Sequence, residues 1–87
     1  MDYSTLLFPN PCSNGQLTLQ VSGNVPGLTN YEILDMEGRL VQSGQTNLDT
    51  GLLQLSLDAA LTNGTYLLRV LDDQKQTAIT ETFMLMR

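Results

Sequence analysis

The chain has 87 residues, of which 41% are apolar and 15% are charged, and its net charge at pH 7 is −5. These totals predict one folded domain, because a disordered chain carries fewer apolar and more charged residues. The four basic residues are scattered along the sequence, which excludes the continuous basic stripe of a nucleic-acid-binding surface.

The sequence contains seven short segments with the composition or the alternation of β-strands. They span residues 5–8, 16–22, 31–36, 39–43, 53–57, 66–71 and 77–86. The alternation is clearest in the second segment, where Leu17, Leu19 and Val21 share one face and polar side chains share the other. Residues 23–30 and 44–51 are predicted to be loops.

Turn residues separate these segments. Pro9, Asn10 and Pro11 end the first strand, because neither proline can donate a ladder hydrogen bond. Gly38 allows a tight hairpin between the third and fourth strands, and Gly64 allows a tight turn before the sixth. Short strands at this spacing predict an all-β fold, either an antiparallel β-sandwich or a small barrel.

The last two strands each have a predicted core face. The side chains assigned to it are Tyr66, Leu68 and Val70 in one strand and Ile79, Phe83 and Leu85 in the next. Tyr66 follows a turn at the start of its strand, where a tyrosine commonly packs in the core and bonds through its hydroxyl to the nearby backbone. We predict that role for Tyr66 rather than ligand stacking.

The composition gives little support to catalysis or metal binding. The chain has no histidine and one cysteine, Cys12, which removes the usual nucleophile–base pairs and the usual zinc sites. Cys12 has no nearby basic residue in the sequence to activate its thiol, so we predict a small packing residue. The acidic pairs, Asp35 with Glu37 and Asp72 with Asp73, are predicted to be solvated hairpin tips. The sequence therefore predicts no enzyme and no cofactor.

Four stretches occur in a characteristic order. They are Phe8-Pro9-Asn10-Pro11 followed by residues 15–19, then residues 35–41, residues 61–70 and the terminal residues 82–87. In this order and spacing they resemble the C-terminal sorting domain of the type IX secretion system, and the resemblance covers nearly the whole chain. One difference is that the family often carries lysines in the final strand, where this chain has Glu81-Thr82-Phe83.

The resemblance implies an immunoglobulin-like antiparallel β-sandwich of about seven strands. It implies that residues 1–87 are a single domain at the C-terminus of a larger secreted protein of a Gram-negative bacterium. Such a domain directs its N-terminal cargo from the periplasm through the outer-membrane translocon. A sortase-like cysteine protease then removes the domain, and the cargo is secreted or held at the cell surface.

A signal that is recognised in its folded state needs exposed backbone or apolar surface, and an edge strand offers both. We therefore expect the translocon to recognise the terminal strand, which consists of Thr82, Phe83, Met84, Leu85, Met86 and Arg87. The family-motif turns are carried by Pro9, Asn10, Pro11, Gly38, Gly64 and Tyr66. The first three are expected to fix the junction with the cargo. An exposed edge would also allow two copies to pair as a homodimer.

The alternative is an immunoglobulin-like or fibronectin-like module for adhesion or carbohydrate binding. Such a module should hold a ligand by itself and tolerate an internal position, whereas a sorting domain should act only at the C-terminus. The strand at the end of the chain favours sorting. The lack of tryptophan and of calcium-loop spacing weighs against sugar binding.

Overall fold

A computed structural model describes residues 3–23, 28–46 and 51–87. Within these residues the chain forms seven strands and no helix, which confirms the all-β prediction. The strands are β1 (Tyr3–Phe8), β2 (Gln16–Gly23), β3 (Leu28–Asp35), β4 (Leu40–Gln45), β5 (Leu52–Ser56), β6 (Gly64–Asp72) and β7 (Thr77–Leu85). In the described part of the chain, no helix is available to cross a membrane.

The strands form two antiparallel sheets that pack as a sandwich. One sheet has the order β1-β2-β5, and the other has the order β4-β3-β6-β7. The core lies between them and takes alternate residues from most strands, as the period-2 patterns predict, while β4 adds the half-buried Val41. Its completely or almost completely buried side chains include Leu17, Leu19, Ile33, Leu68, Val70, Phe83 and Leu85. No polar or charged residue of the described chain is buried with them.

Two predicted loops are shorter than expected. Leu28 already begins β3, and β4 continues through Gly44 and Gln45. Of the predicted loops, residues 24–27 and 47–50 lie outside the described residues. Gly44 fits in a strand because the ring of Tyr31 lies across it, and a Cβ atom at Gly44 would come within 2.7 Å of Tyr31 Cε2. The glycine thus marks a close approach rather than a loop.

Polar side chains join the two sheets at both sides of the sandwich. On one side, the Thr5 hydroxyl of β1 donates to the Glu81 carboxylate of β7 at 2.9 Å. On the other side, the Gln42 amide of β4 donates to the Ser56 main-chain oxygen at 3.1 Å and accepts from the Asp58 N–H at 2.9 Å. These bonds fix the sheets laterally, where the apolar core does not reach.

The β3–β4 hairpin is held by one aspartate. The Asp35 carboxylate accepts from the Glu37 and Arg39 backbone N–H groups, both at 2.9 Å, and from the Arg39 guanidinium at 2.8 Å. The Arg39 N–H is the largest cause that holds the pKa of Asp35 below its ordinary range. Gly38 takes the left-handed conformation, with φ of 85°, that this turn requires.

The β6–β7 hairpin repeats this arrangement. The Asp72 carboxylate accepts from the Gln74 and Gln76 N–H groups, both at 2.9 Å. The position equivalent to Gly38 is Lys75, which has a φ of 63°. A side chain in this conformation is strained, so the same turn is built with glycine in one hairpin and with a less suitable residue in the other.

We expect Lys75→Gly to stabilise the domain by roughly 0.5–1 kcal/mol, because it removes left-handed strain from an exposed turn. The matched change, Gly38→Ala, should destabilise it by about 1 kcal/mol through the backbone alone, since nothing lies within 4 Å of an added Cβ. Chemical denaturation measures both. Equal and small effects at the two positions would contradict this account.

The lowered pKa of Asp35 predicts an acid-sensitive hairpin. A carboxyl group with a lower pKa when folded contributes stability above its unfolded pKa of about 3.9 and loses it as the pH falls through the folded pKa. An NMR titration should therefore place the Asp35 midpoint below that of an unstructured aspartate. In the Asp35→Asn variant, the β3–β4 amide signals should no longer shift with this midpoint. An ordinary midpoint for Asp35 would overturn the prediction.

Candidate functional site

The terminal strand β7 lies at the edge of the four-stranded sheet, but part of its outer side is covered. The segment that links β1 and β2 runs beside it. The Cys12 N–H donates to the Met84 oxygen at 2.7 Å, and the Met86 N–H donates to the Cys12 oxygen at 2.8 Å. These bonds make a parallel bridge between Cys12 and Leu85. The first linking segment of the three-stranded sheet therefore also pairs with the other sheet.

The side chain of Asn10 extends this cover. Its Oδ1 accepts from the Met84 N–H at 3.0 Å, and its Nδ2 donates to the Thr82 oxygen at 3.4 Å. An asparagine amide has the donor and acceptor of a peptide group, so it can replace a neighbouring strand. The expectation of a free backbone edge in the terminal segment is therefore wrong at the Thr82 oxygen, at both backbone groups of Met84 and at the Met86 N–H. Recognition of the segment itself stays a prediction.

Arg87 is bound through both its backbone and its side chain. The Asn63 side chain accepts from the Arg87 N–H at 2.9 Å and donates to the Arg87 main-chain oxygen at 3.2 Å. The Arg87 guanidinium donates to the main-chain oxygens of Asp58 at 2.6 Å and Leu61 at 3.4 Å, and it lies against Gly15. The basic residue expected to be available for recognition is thus folded back onto the domain.

The side chains of the predicted recognition segment divide between the core and the surface. Phe83 and Leu85 are 1% and 0% exposed, whereas Met84 and Met86 are 41% and 53% exposed. Thr82 is also exposed and continues the outward series. The expectation of apolar surface at this strand is confirmed, but it comes from alternate residues only.

Tyr66 and Gly64 build the end of the sandwich next to this segment. The Tyr66 hydroxyl donates to the Thr62 oxygen at 2.6 Å, which confirms the predicted corner role. Its ring stacks on Phe83 with centroids 5.8 Å apart. Gly64 pairs with Leu85 at the start of β6, and this pairing brings Asn63 beside the end of the chain.

The other family-motif turns lie around the same end of the fold. Gly38 belongs to the hairpin that faces residues 60–66 across a shallow cleft of about 390 Å³. Pro9 and Pro11 flank Asn10 beside β7, are exposed, and follow cis peptide bonds. The turns at residues 9–11 and at Gly64 are therefore brought beside the terminal strand, whereas the Gly38 hairpin faces residues 60–66 across the cleft. Whether Pro9, Asn10 and Pro11 fix a cargo junction stays a prediction.

The contacts that organise this region involve residues that the sequence analysis did not single out or treated only as turn residues. Asn10 lies 74 positions from Met84, and Asn63 lies 24 positions from Arg87. Asparagine next to proline or glycine is typical of any turn. The sequence shows two asparagines in turns, but no neighbouring residue indicates that their partners lie in the terminal segment.

Nothing in the described residues points to reactive chemistry at this site. Cys12 is completely buried, and its thiol donates to the Gln16 oxygen at 3.2 Å, which confirms the predicted packing role. Among residues 3–23, 28–46 and 51–87, no group of three His, Cys, Asp or Glu side chains is placed to hold a metal ion. The residues around the terminal strand form a surface that a partner protein can contact.

The sequence matches a protein family described as the secretion system C-terminal sorting domain, over residues 6–84. The match includes the Asn10 segment, the Tyr66 corner and most of β7. The last three residues of the chain lie beyond it. No curated protein sequence matches the chain.

Among solved structures, the chain is similar to PorZ, described as an essential bacterial surface component of the type-IX secretion system of Porphyromonas gingivalis. The TM-score is 0.69 and the sequence identity is 22%, with 95% of this chain covered. The chain spans only 11% of the PorZ chain. At this identity the likeness shows the fold, an antiparallel β-sandwich, and carries no residue role across.

Proposed function

The chain belongs to the family of type IX secretion C-terminal sorting domains, and on that basis we propose that it directs a cargo protein through the outer-membrane translocon. The observation that supports this proposal is the family match over residues 6–84. We further propose that the 87 residues are the C-terminal domain of a larger secreted protein. The cargo then reaches the cell surface or the medium.

In this proposal the domain is a signal and performs no chemistry itself. A sortase-like cysteine protease, a separate protein, removes it after transport. The buried thiol of Cys12 and the lack of histidine in the sequence agree with a passive role. The domain contributes a stable fold and a surface that the secretion machinery recognises.

We place the recognition surface on residues 82–87. The exposed side chains of Thr82, Met84 and Met86 support this choice, because apolar side chains at an edge favour contact with a partner. Phe83 and Leu85 belong to the core, so deletion of the whole segment would also unfold the domain. Substitution of the outward side chains is therefore the cleaner test.

No contact or cleft among the described residues specifically favours an adhesion or carbohydrate-binding module. The cleft between the β3–β4 hairpin and residues 60–66 has Tyr66 as its aromatic lining residue, and the hydroxyl of Tyr66 is already bonded to Thr62. Sugar sites commonly use an exposed aromatic face, and this ring is buried against Phe83. The alternative remains as one outcome of the secretion experiment.

The first prediction from this function is that the chain directs secretion when it is transplanted onto another protein. Fused to the C-terminus of a periplasm-directed fluorescent protein, it should bring the reporter to the surface or medium of a type IX-competent strain. A strain without the translocon should retain the reporter in the periplasm. The released reporter should lack the domain when analysed by mass spectrometry. A folded reporter retained in both strains would contradict the proposal and favour the binding module.

The second prediction concerns the position of the recognition surface. In the same fusion, Met84→Ser with Met86→Ser should lower secretion about tenfold or more, since two interface anchors are lost. Leu52→Ser with Leu6→Ser is the matched control. These leucines are 43% and 58% exposed on the other sheet, close to the 41% and 53% of the methionines. Equal losses in both double variants would contradict recognition at residues 82–87.

A further inference from the structure

We propose that Asn10 and Asn63 are positioning residues for recognition. Their side-chain amides hold the backbone of residues 82–87 so that the translocon contacts the outward side chains and does not add a strand to the edge. This inference rests on the proposed function and specifies how its surface is presented. Neither asparagine needs to touch the translocon itself.

The first argument is the need for hydrogen-bond partners beside β7. A proline has no N–H group, so Pro9 and Pro11 cannot donate to a neighbouring strand. Asn10 lies between them, and its Nδ2 supplies a donor to the Thr82 oxygen, while its Oδ1 accepts from the Met84 N–H. Cys12 follows Pro11, and its backbone N–H bonds to the Met84 oxygen. The asparagine side chain thus bonds to the part of β7 to which the prolines cannot donate.

The second argument is the end of the β6 ladder. The last pair between β6 and β7 is Gly64 with Leu85, so β6 offers no further partner for Arg87. The Asn63 amide bonds to both the N–H and the oxygen of Arg87. One side chain therefore lengthens the sheet by one residue pair. Without it, the end of the strand would fray as unpaired termini do.

The third argument is what remains for a partner to contact. The outward backbone groups of Met84 are both bonded, as are the Thr82 oxygen and the Met86 N–H. A partner that adds a strand needs such groups to be free. The exposed residues Thr82, Met84 and Met86 are uncharged on a chain of net charge −5. This strip fits an uncharged, largely apolar surface of the translocon.

The two modes of recognition predict opposite effects of one substitution. Asn10→Ala opens the edge at Thr82 and Met84. If the partner adds a strand, secretion should stay the same or increase. If the partner contacts side chains on a fixed backbone, secretion should fall by about five- to tenfold. We expect the fall, and a similar fall for Asn63→Ala.

Gln42→Ala is the control for a loss of stability alone. It removes side-chain bonds to Tyr31, Ser56 and Asp58 on the opposite side of the sandwich. All variants are measured as reporter fusions, with secretion divided by the folded periplasmic amount. We expect Gln42→Ala to secrete normally although it is destabilised. A loss of secretion in proportion to stability in all three variants would overturn the inference.

Two further measurements separate positioning from folding. In the 87-residue chain, hydrogen exchange at the Met84 amide should accelerate in Asn10→Ala, and exchange at the Arg87 amide should accelerate in Asn63→Ala. Asn10→Asp keeps the oxygen that accepts from the Met84 N–H and loses only the longer bond to the Thr82 oxygen. This variant should therefore recover much of the secretion that Asn10→Ala loses. If Asn10→Ala fails to accumulate as folded protein, Asn63→Ala decides the question by the same comparison with Gln42→Ala.

The unmodified fusion distinguishes a failure of the positioning role from a failure of the proposed sorting function. Retention of the unmodified fusion in the periplasm would contradict the sorting function itself. Translocon-dependent secretion of the unmodified fusion, together with normal secretion of Asn10→Ala and Asn63→Ala, would overturn only the positioning role.

Discussion

The crossing of the chain from β1 to β7 holds this small domain together. After β1, the chain leaves the three-stranded sheet, pairs through Cys12 with the edge of the four-stranded sheet, and returns as β2. The crossing buries Cys12 completely and ties the two sheets through backbone bonds. A domain of this size buries only about 60% of its unfolded surface, so bonds between layers matter more than in a larger protein.

The same crossing explains why the fold and the proposed recognition surface are difficult to separate in this chain. Phe83 and Leu85 fill the core, while Met84 and Met86 face solvent in the same terminal segment. Alternation gives each neighbouring residue a different role, because successive side chains of a strand point to opposite faces. A signal built on such a strand exists only when the sandwich is folded.

Asparagine and aspartate side chains act as local substitutes for backbone throughout the structure. Asn10 and Asn63 pair with main-chain groups of the terminal segment, and Asp35 and Asp72 each accept two backbone N–H groups in a hairpin. These short side chains reach nearby peptide groups at little entropic cost. By residue type all four of these side chains are turn formers, yet two of them join segments that are distant in the sequence.

The sequence by itself determined the seven strands to within a few residues, the buried faces of the second, sixth and seventh strands, and the two hairpins. Each of these features is set by residues that lie two to five positions apart, so a local pattern of apolar, polar and turn residues is enough to specify it. It also placed Tyr66 at a corner, because a tyrosine after a turn has few other ways to satisfy its hydroxyl. Only the tertiary structure decided that Gly44 lies in a strand under Tyr31, that Asn10 covers β7, and that Arg87 folds back onto the domain. Each of these depends on a partner from another strand or turn, and a one-dimensional pattern records which residues can pair but not which ones the packed sheets bring together.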